Sequence, residues 1–290
     1  MRILDQLGSP LIRRALLEAV LVGSLCGAVG VHVLLRRLPF FTLALSHATF
    51  PGVVLAGILG VSVYLGGAVA ALGLVLAVAI IGSTRRLEAS TATGVALAGA
   101  FAIGVLLQSA QSSATRNLAR FLVGDILTVN ADDLAMTALF GLVVVAALAV
   151  FHKELVFSAF DVVGARAAGY SSSRLEVLVL ALVALTVVTS IRAVGTILSV
   201  ALLVTPALAA RQWTSSIGRM MVLGAAFGAA AGVAGIAASA QWDVAGGSAI
   251  ALAATGLLAV TVAIQQARTL RNACISRSVG GRDRIARLGR

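Results

Sequence analysis

Long apolar runs separated by short polar or basic stretches make up nearly the whole chain. A helix of about 20 apolar residues crosses a bilayer core of about 30 Å. Nine runs reach or approach that length: 15–35, 42–59, 62–82, 93–110, 134–150, 175–190, 194–210, 220–240 and 248–265. Only Gly60-Val61 separates the second from the third, so one broken element, and eight spans, is the alternative. Between the fourth and fifth runs, 116–128 is too short and polar to span. It suits an external or re-entrant stretch, which lipid tolerates only where protein buries it. No Pro/Ser-rich linker interrupts the pattern, so it predicts an all-α polytopic bundle forming a single transmembrane domain over 1–290. Gly224, Gly228 and Gly232 recur every fourth residue, as do Gly23 and Gly27. That spacing lets helix backbones approach closely in lipid.

Composition agrees. Of 290 residues, 60% are hydrophobic and 11% charged, and the mean hydropathy is +1.04. A soluble domain is typically about 45–50% apolar and about 25% charged. A soluble enzyme, a nucleic-acid-binding domain and a disordered chain are therefore excluded. The first run has no small-residue cleavage site behind it and reads as a retained span rather than a signal peptide. Cys26 and Cys274 lie far apart and make neither a metal spacing nor a disulfide framework.

The net charge of +11 is a matter of topology. Lys153 is the only lysine, and seven arginines crowd the tail over 267–290. With that tail in the cytoplasm, the short loops and tail on its side carry 16 basic residues against 6 opposite. This bias sets orientation in membranes. It predicts nine spans, a cytoplasmic C-terminus and contacts with lipid headgroups rather than nucleic acid.

Few side chains inside the spans could do chemistry. His152 stands with Lys153 and Glu154 at a span end, where solvation accounts for it. His32 lies near the end of the first run and is the weaker candidate. His47 lies inside the second, in Leu45-Ser46-His47-Ala48-Thr49-Phe50-Pro51-Gly52. An ionisable residue in a span is costly and points to function. Pro51 removes the helical partner of the carbonyl four residues back, that of His47. Imidazole with oxygen donors suits zinc, manganese or iron(II). Thr205-Pro206 predicts a second break, and such paired discontinuities build midplane transport sites. Spans holding only Glu18 and Glu176, each near an end, argue against a proton-coupled secondary metal transporter. The HExxH, GxSxG and GxxxxGK[ST] patterns are all missing, so ATP, if used, is hydrolysed elsewhere.

These residues resemble the membrane permease of the zinc/manganese class of ABC importers over about 15–262. The first-run exit Val29-Gly30-Val31-His32-Val33-Leu34-Leu35-Arg36-Arg37 is similar to that of the family. The stretch from Ser46 through His47 and Pro51 to Gly52 resembles the family's SHAxxPG signature, and 121–127 its FGxxL segment. Ala193-Val194-Gly195 and Leu202-Leu203-Val204-Thr205-Pro206-Ala207 resemble its AVG and LLVxPA runs. The resemblance implies a type II ABC-importer-like fold in a bacterial cytoplasmic membrane. It implies a dimeric ATPase subunit, a second permease and a metal-binding lipoprotein as partners, with manganese, zinc or iron as cargo. It places His47, Ser46, Pro51, Thr205 and Pro206 on the metal pathway, with His47 as ligand. It makes 158–174 the ATPase-coupling loop, through Phe160, Asp161, Gly164, Ala165, Ala168 and Gly169. An iron-chelate or cobalamin permease is the alternative; that type is usually longer, with ten spans and without SHAxxPG.

One position departs from the family. Its pattern places a metal-binding Asp one turn before the His, and here that residue is Leu43. A second, different permease that keeps the Asp is the favoured account. The others are a chelated or less demanding metal, or replacement by another group such as His32.

Overall fold

The computed structural model describes residues 10–83, 89–109, 124 and 126–288. The described elements are almost entirely helical: α1 (Pro10–Leu35), α2 (Pro39–Ala48), α3 (Phe50–Leu59), α4 (Val63–Ser83), α5 (Ala89–Ser109), α6 (Ala131–Val150), α7 (His152–Phe160), α8 (Val162–Ala167), α9 (Ser172–Val194), α10 (Thr196–Arg211), α11 (Ile217–Trp242) and α12 (Gly246–Leu288). A 3₁₀ turn occupies Ile126–Thr128. Among the described residues seven helices are long and apolar enough to cross a membrane, taking Pro39–Leu59 as one, and two shorter apolar helices add Thr93–Ser109 and Leu198–Arg211. Gly60, left-handed at φ 67°, ends α3 and separates it from α4.

Several local signals act as their chemistry dictates. The Asn130 side chain accepts from the Asp133 amide while the Asp133 carboxylate accepts from the Asn130 amide, a capping box that starts α6. After α1, the Leu38 amide reaches the Val33 carbonyl and the Arg37 amide that of Leu34. That is a Schellman stop with Arg37 left-handed at φ 56° where glycine is usual. Pro39 then opens α2. The expected break at Pro206 does not occur: α10 runs through it. The chain breaks instead at Gly195, whose φ of 87° joins α9 to α10.

Helices α1 and α9 form the centre. In each, 67% of the most apolar stretch is buried within the protein, against 22% for α6, which lies at the rim. Helix α1 makes its most extensive contact with α11. There the two glycine series prove to be partners. A Cβ on Gly27 would fall on the Gly224 carbonyl oxygen, and one on Gly23 on that of Gly228. Apolar side chains gain nothing by leaving lipid, so close backbone packing holds such a seam. A buried hydrogen bond adds to it on the other side of α1: the Thr137 hydroxyl of α6 donates to Glu18 at 2.8 Å.

Gly124 packs directly on the Gly195 corner, and a Cβ there would meet the Val194 carbonyl carbon at 2.5 Å. Ile126 is buried against Gly246 at the start of α12. In the described part of 116–128, Gly124 and Ile126 thus pack on protein while Leu127 and Thr128 are exposed; its other residues, Phe121, Leu122, Val123 and Asp125 included, lie outside the described ones. The opposite end of the bundle holds the Arg36 turn, α7 and α8, and the α10–α11 connection. There Gln265 of α12 donates to the Gln212 carbonyl at 2.7 Å, and Arg268 lies 4.8 Å from the Trp213 ring centre.

Candidate functional site

His47 sits in the last turn of α2, two residues before the α2–α3 joint at Thr49. The Thr49 amide donates to the Leu45 carbonyl at 3.1 Å. Pro51 stands in the first turn of α3, where a missing amide costs little. Gly52 admits the next helix: a Cβ there would strike the Gly66 carbonyl of α4. The signature therefore joins two short helices and seats α4 on the second.

The ring of His47 is half-buried, and its Nδ1 is buried with no hydrogen-bond partner. Phe101 of α5 packs edge-on against it, with ring centres 5.6 Å apart, and Phe50 stacks obliquely on Phe101 at 5.9 Å. Phe101 has no signal in the sequence, since its pairing with His47 depends on how α5 docks. Leu43, one turn before His47, is 37% exposed, and Phe40 46%. Residues 40, 43 and 47 lie on one face of the helix, which opens away from the bundle.

The remaining pathway residues do not converge on the imidazole. The Ser46 hydroxyl is buried and donates to the Leu43 carbonyl at 2.9 Å. Thr205 donates to the Ala201 carbonyl at 2.7 Å within its own helix. Helix α10, which contains Pro206, does pack on α2. His32 is 1% exposed, with both ring nitrogens unpartnered, and its electrostatic neighbours are Arg36 and His152. Among the described residues, no three His, Cys, Asp or Glu side chains are grouped as metal ligands. One chain thus presents a single imidazole rather than a closed site.

The second candidate region is the elbow formed by α7 and α8. The Gly164 amide donates to Asp161 at 2.7 Å, which caps α8, and a Cβ at Gly164 would collide with that carboxylate. Ala165 is fully buried and seats the helix. The Tyr170 amide reaches the Ala165 carbonyl at 2.9 Å across Gly169, left-handed at φ 86°. Asp161, Gly164, Ala165 and Gly169 therefore shape the elbow, while Ala168 is exposed. Its outward surface is apolar: Phe160 is 70% exposed and Val163 77%. Val163 belongs to this surface although sequence reasoning passed over it. The signal available was an apolar residue two positions after the helix-capping Asp161.

The chain is similar to known membrane transport proteins over most of its length. The manganese transport system membrane protein MntC of Halalkalibacterium halodurans is 35% identical over 86% of this chain and 85% of its own length. The zinc transport system membrane protein TroC of Treponema pallidum is 32% identical, covering 87% of this chain and 88% of its own. The solved structure of PsaBC from Streptococcus pneumoniae in complex with Fab superposes with a TM-score of 0.81 at 33% identity, covering 89% of this chain and 93% of that one. Residues 9–265 match the ABC 3 transport family. The chain is a multi-pass membrane protein and a member of the ABC 3 transport family.

Proposed function

We propose that this chain is the permease subunit of an ATP-driven importer of divalent metal ions, manganese, zinc or iron. It receives the ion from a solute-binding lipoprotein and couples to a separate ATPase. The observation that carries this reading is His47, whose Nδ1 is buried without a partner, on a helix face that opens outward. An imidazole facing lipid would be costly. That face is therefore covered by a second permease, and the ion passes between the two. Relatives named for manganese and zinc transport support the cargo class. In this reading 1–290 is one permease domain, with the Arg36 end and the tail in the cytoplasm.

The elbow then meets the ATPase. Phe160 and Val163 form the contact, and Ala165 anchors it to the bundle. Val163→Asp puts a charge into an apolar contact, where losing a central anchor typically costs about 2 kcal/mol or more. The expected result is loss of ATPase co-purification with the bundle still folded; undiminished co-purification would move the contact elsewhere. Gly169 is a poor probe, because its left-handed backbone strains any other residue.

The direct test is uptake of labelled manganese, zinc and iron into proteoliposomes with and without the ATPase partner. Uptake should require that partner and ATP. The purified chain alone should hydrolyse no ATP above a contaminant control, because its only lysine, Lys153, lies outside any phosphate-loop pattern. Metal uptake by the chain alone would overturn the assignment.

A further inference from the structure

Arg36 joins two parts of the molecule that the sequence keeps 119 or more positions apart. It is the first residue after α1, and its Nη2 donates to the Leu155 carbonyl at 3.1 Å and to the Ser158 hydroxyl at 2.7 Å, both on α7. Leu155 is fully buried and Ser158 is 3% exposed. The Arg36 Nε is itself buried and unpartnered. Glu176, at the start of α9, is an electrostatic neighbour of the guanidinium. One guanidinium nitrogen thus serves two acceptors on the other helix; a charged donor makes stronger bonds than neutral pairs do, and the planar group that carries it sets direction as well as distance.

The two ends of this connection are both rigid. The Schellman stop with left-handed Arg37 orients the end of α1, and so the base of the Arg36 side chain. Helix α1 in turn is seamed to α11 through Gly23 and Gly27 and touches α10 where a Cβ on Gly30 would strike the Leu203 carbonyl. At the other end, α7 leads through Asp161 straight into α8. A displacement of the elbow therefore reaches α1 through the guanidinium. It also reaches it through general packing, but that contact has no comparable direction.

We propose that Arg36 is the positioning residue that ties the α7–α8 elbow to α1 and thereby transmits ATPase movement to the transport bundle. This rests on the permease reading above. Ser158 and the Leu155 carbonyl are its acceptors. Lysine keeps the charge, but the rotating ammonium on its flexible stem does not fix direction as the planar guanidinium does.

The test uses the full complex of permease, ATPase and binding protein in proteoliposomes, with metal uptake and ATP hydrolysis measured together. The wild-type complex sets the ratio of metal moved to ATP consumed. Arg36→Met should assemble and hydrolyse ATP, while that ratio falls about tenfold, as expected for losing charge-assisted bonds, and Arg36→Lys, whose one ammonium can still donate to these oxygens, should lower it less. Ser158→Ala should lower the ratio less, and Ser158→Ala combined with Arg36→Met should be no worse than Arg36→Met alone. A residue serving stability alone would lower uptake and hydrolysis together and leave the ratio unchanged, and that result overturns the proposal. So does a wild-type ratio in Arg36→Met. A wild-type complex that moves no metal would instead defeat the permease reading itself, and with it this one.

Discussion

His47→Ala should abolish metal uptake while leaving the protein in the membrane at normal levels. Losing even a group that only orients a metal ligand typically costs about 10–100-fold, so losing the ligand should reduce uptake at least about a hundredfold. Among the described residues Phe101 packs on the ring as its aromatic partner, and Nδ1 holds no hydrogen bond, so truncation breaks no polar network there. Removing a buried polar group that lacks a partner does not destabilise a helix in lipid. The measurement is uptake of labelled zinc, manganese and iron at matched membrane levels, with His152→Ala as the comparison and a smaller loss expected there. If His47→Ala takes up all three like wild type, the imidazole is a packing residue. Leu43→Asp sharpens the test by placing a carboxylate one turn away on the same open face. Oxygen donors favour manganese over zinc, so the variant should shift selectivity toward manganese without changing assembly. Beside a partner permease that already carries such a carboxylate the shift should be modest. In a pair of identical chains it should be large.

Gly27→Val should prevent the bundle from forming. The new Cβ would occupy the position of the Gly224 carbonyl oxygen. Both groups at this contact are backbone, so no side chain can rotate away and the helices must part over the whole seam. Overpacking a core usually costs about 1–3 kcal/mol; a clash of this kind belongs at or above the upper end. The expected result is a large drop in thermal stability in detergent, or no folded protein at all. Gly73→Val and Gly256→Val are the controls, because a Cβ at either position meets nothing within 4 Å. They change the same residue type in membrane helices and should leave the melting temperature nearly unchanged. A Gly27→Val protein as stable as these controls would show that the α1–α11 seam is not closely packed.

The sequence alone determined the elements whose causes are local. Span lengths follow from the hydrocarbon thickness, so the apolar runs locate the helices. The Asn130 capping box, the Pro39 start and the Gly60 stop depend on a few neighbouring residues and act where they stand. His47 drew notice because an imidazole within an apolar run needs a reason. The reading failed where the outcome depends on a distant neighbour. Pro206 resembles a break, yet α10 passes through it and the bend falls at Gly195, where 124 docks. The pairing of Gly27 with Gly224, the Phe101 ring on His47 and the Arg36 bridge to α7 each join residues 54 to 197 positions apart. Lipid makes this harder than water does. In a soluble helix the buried face is the apolar one, but here both faces are apolar, because the solvent is apolar too. Val69 and Leu252, at 70% and 78% exposed, are the same kind of residue as Val183 and Leu203, which are fully buried. Hydropathy therefore located the helices but could not say which side of each faces protein. Only the close approach of backbones in the folded bundle decides that, and with it which way His47 points.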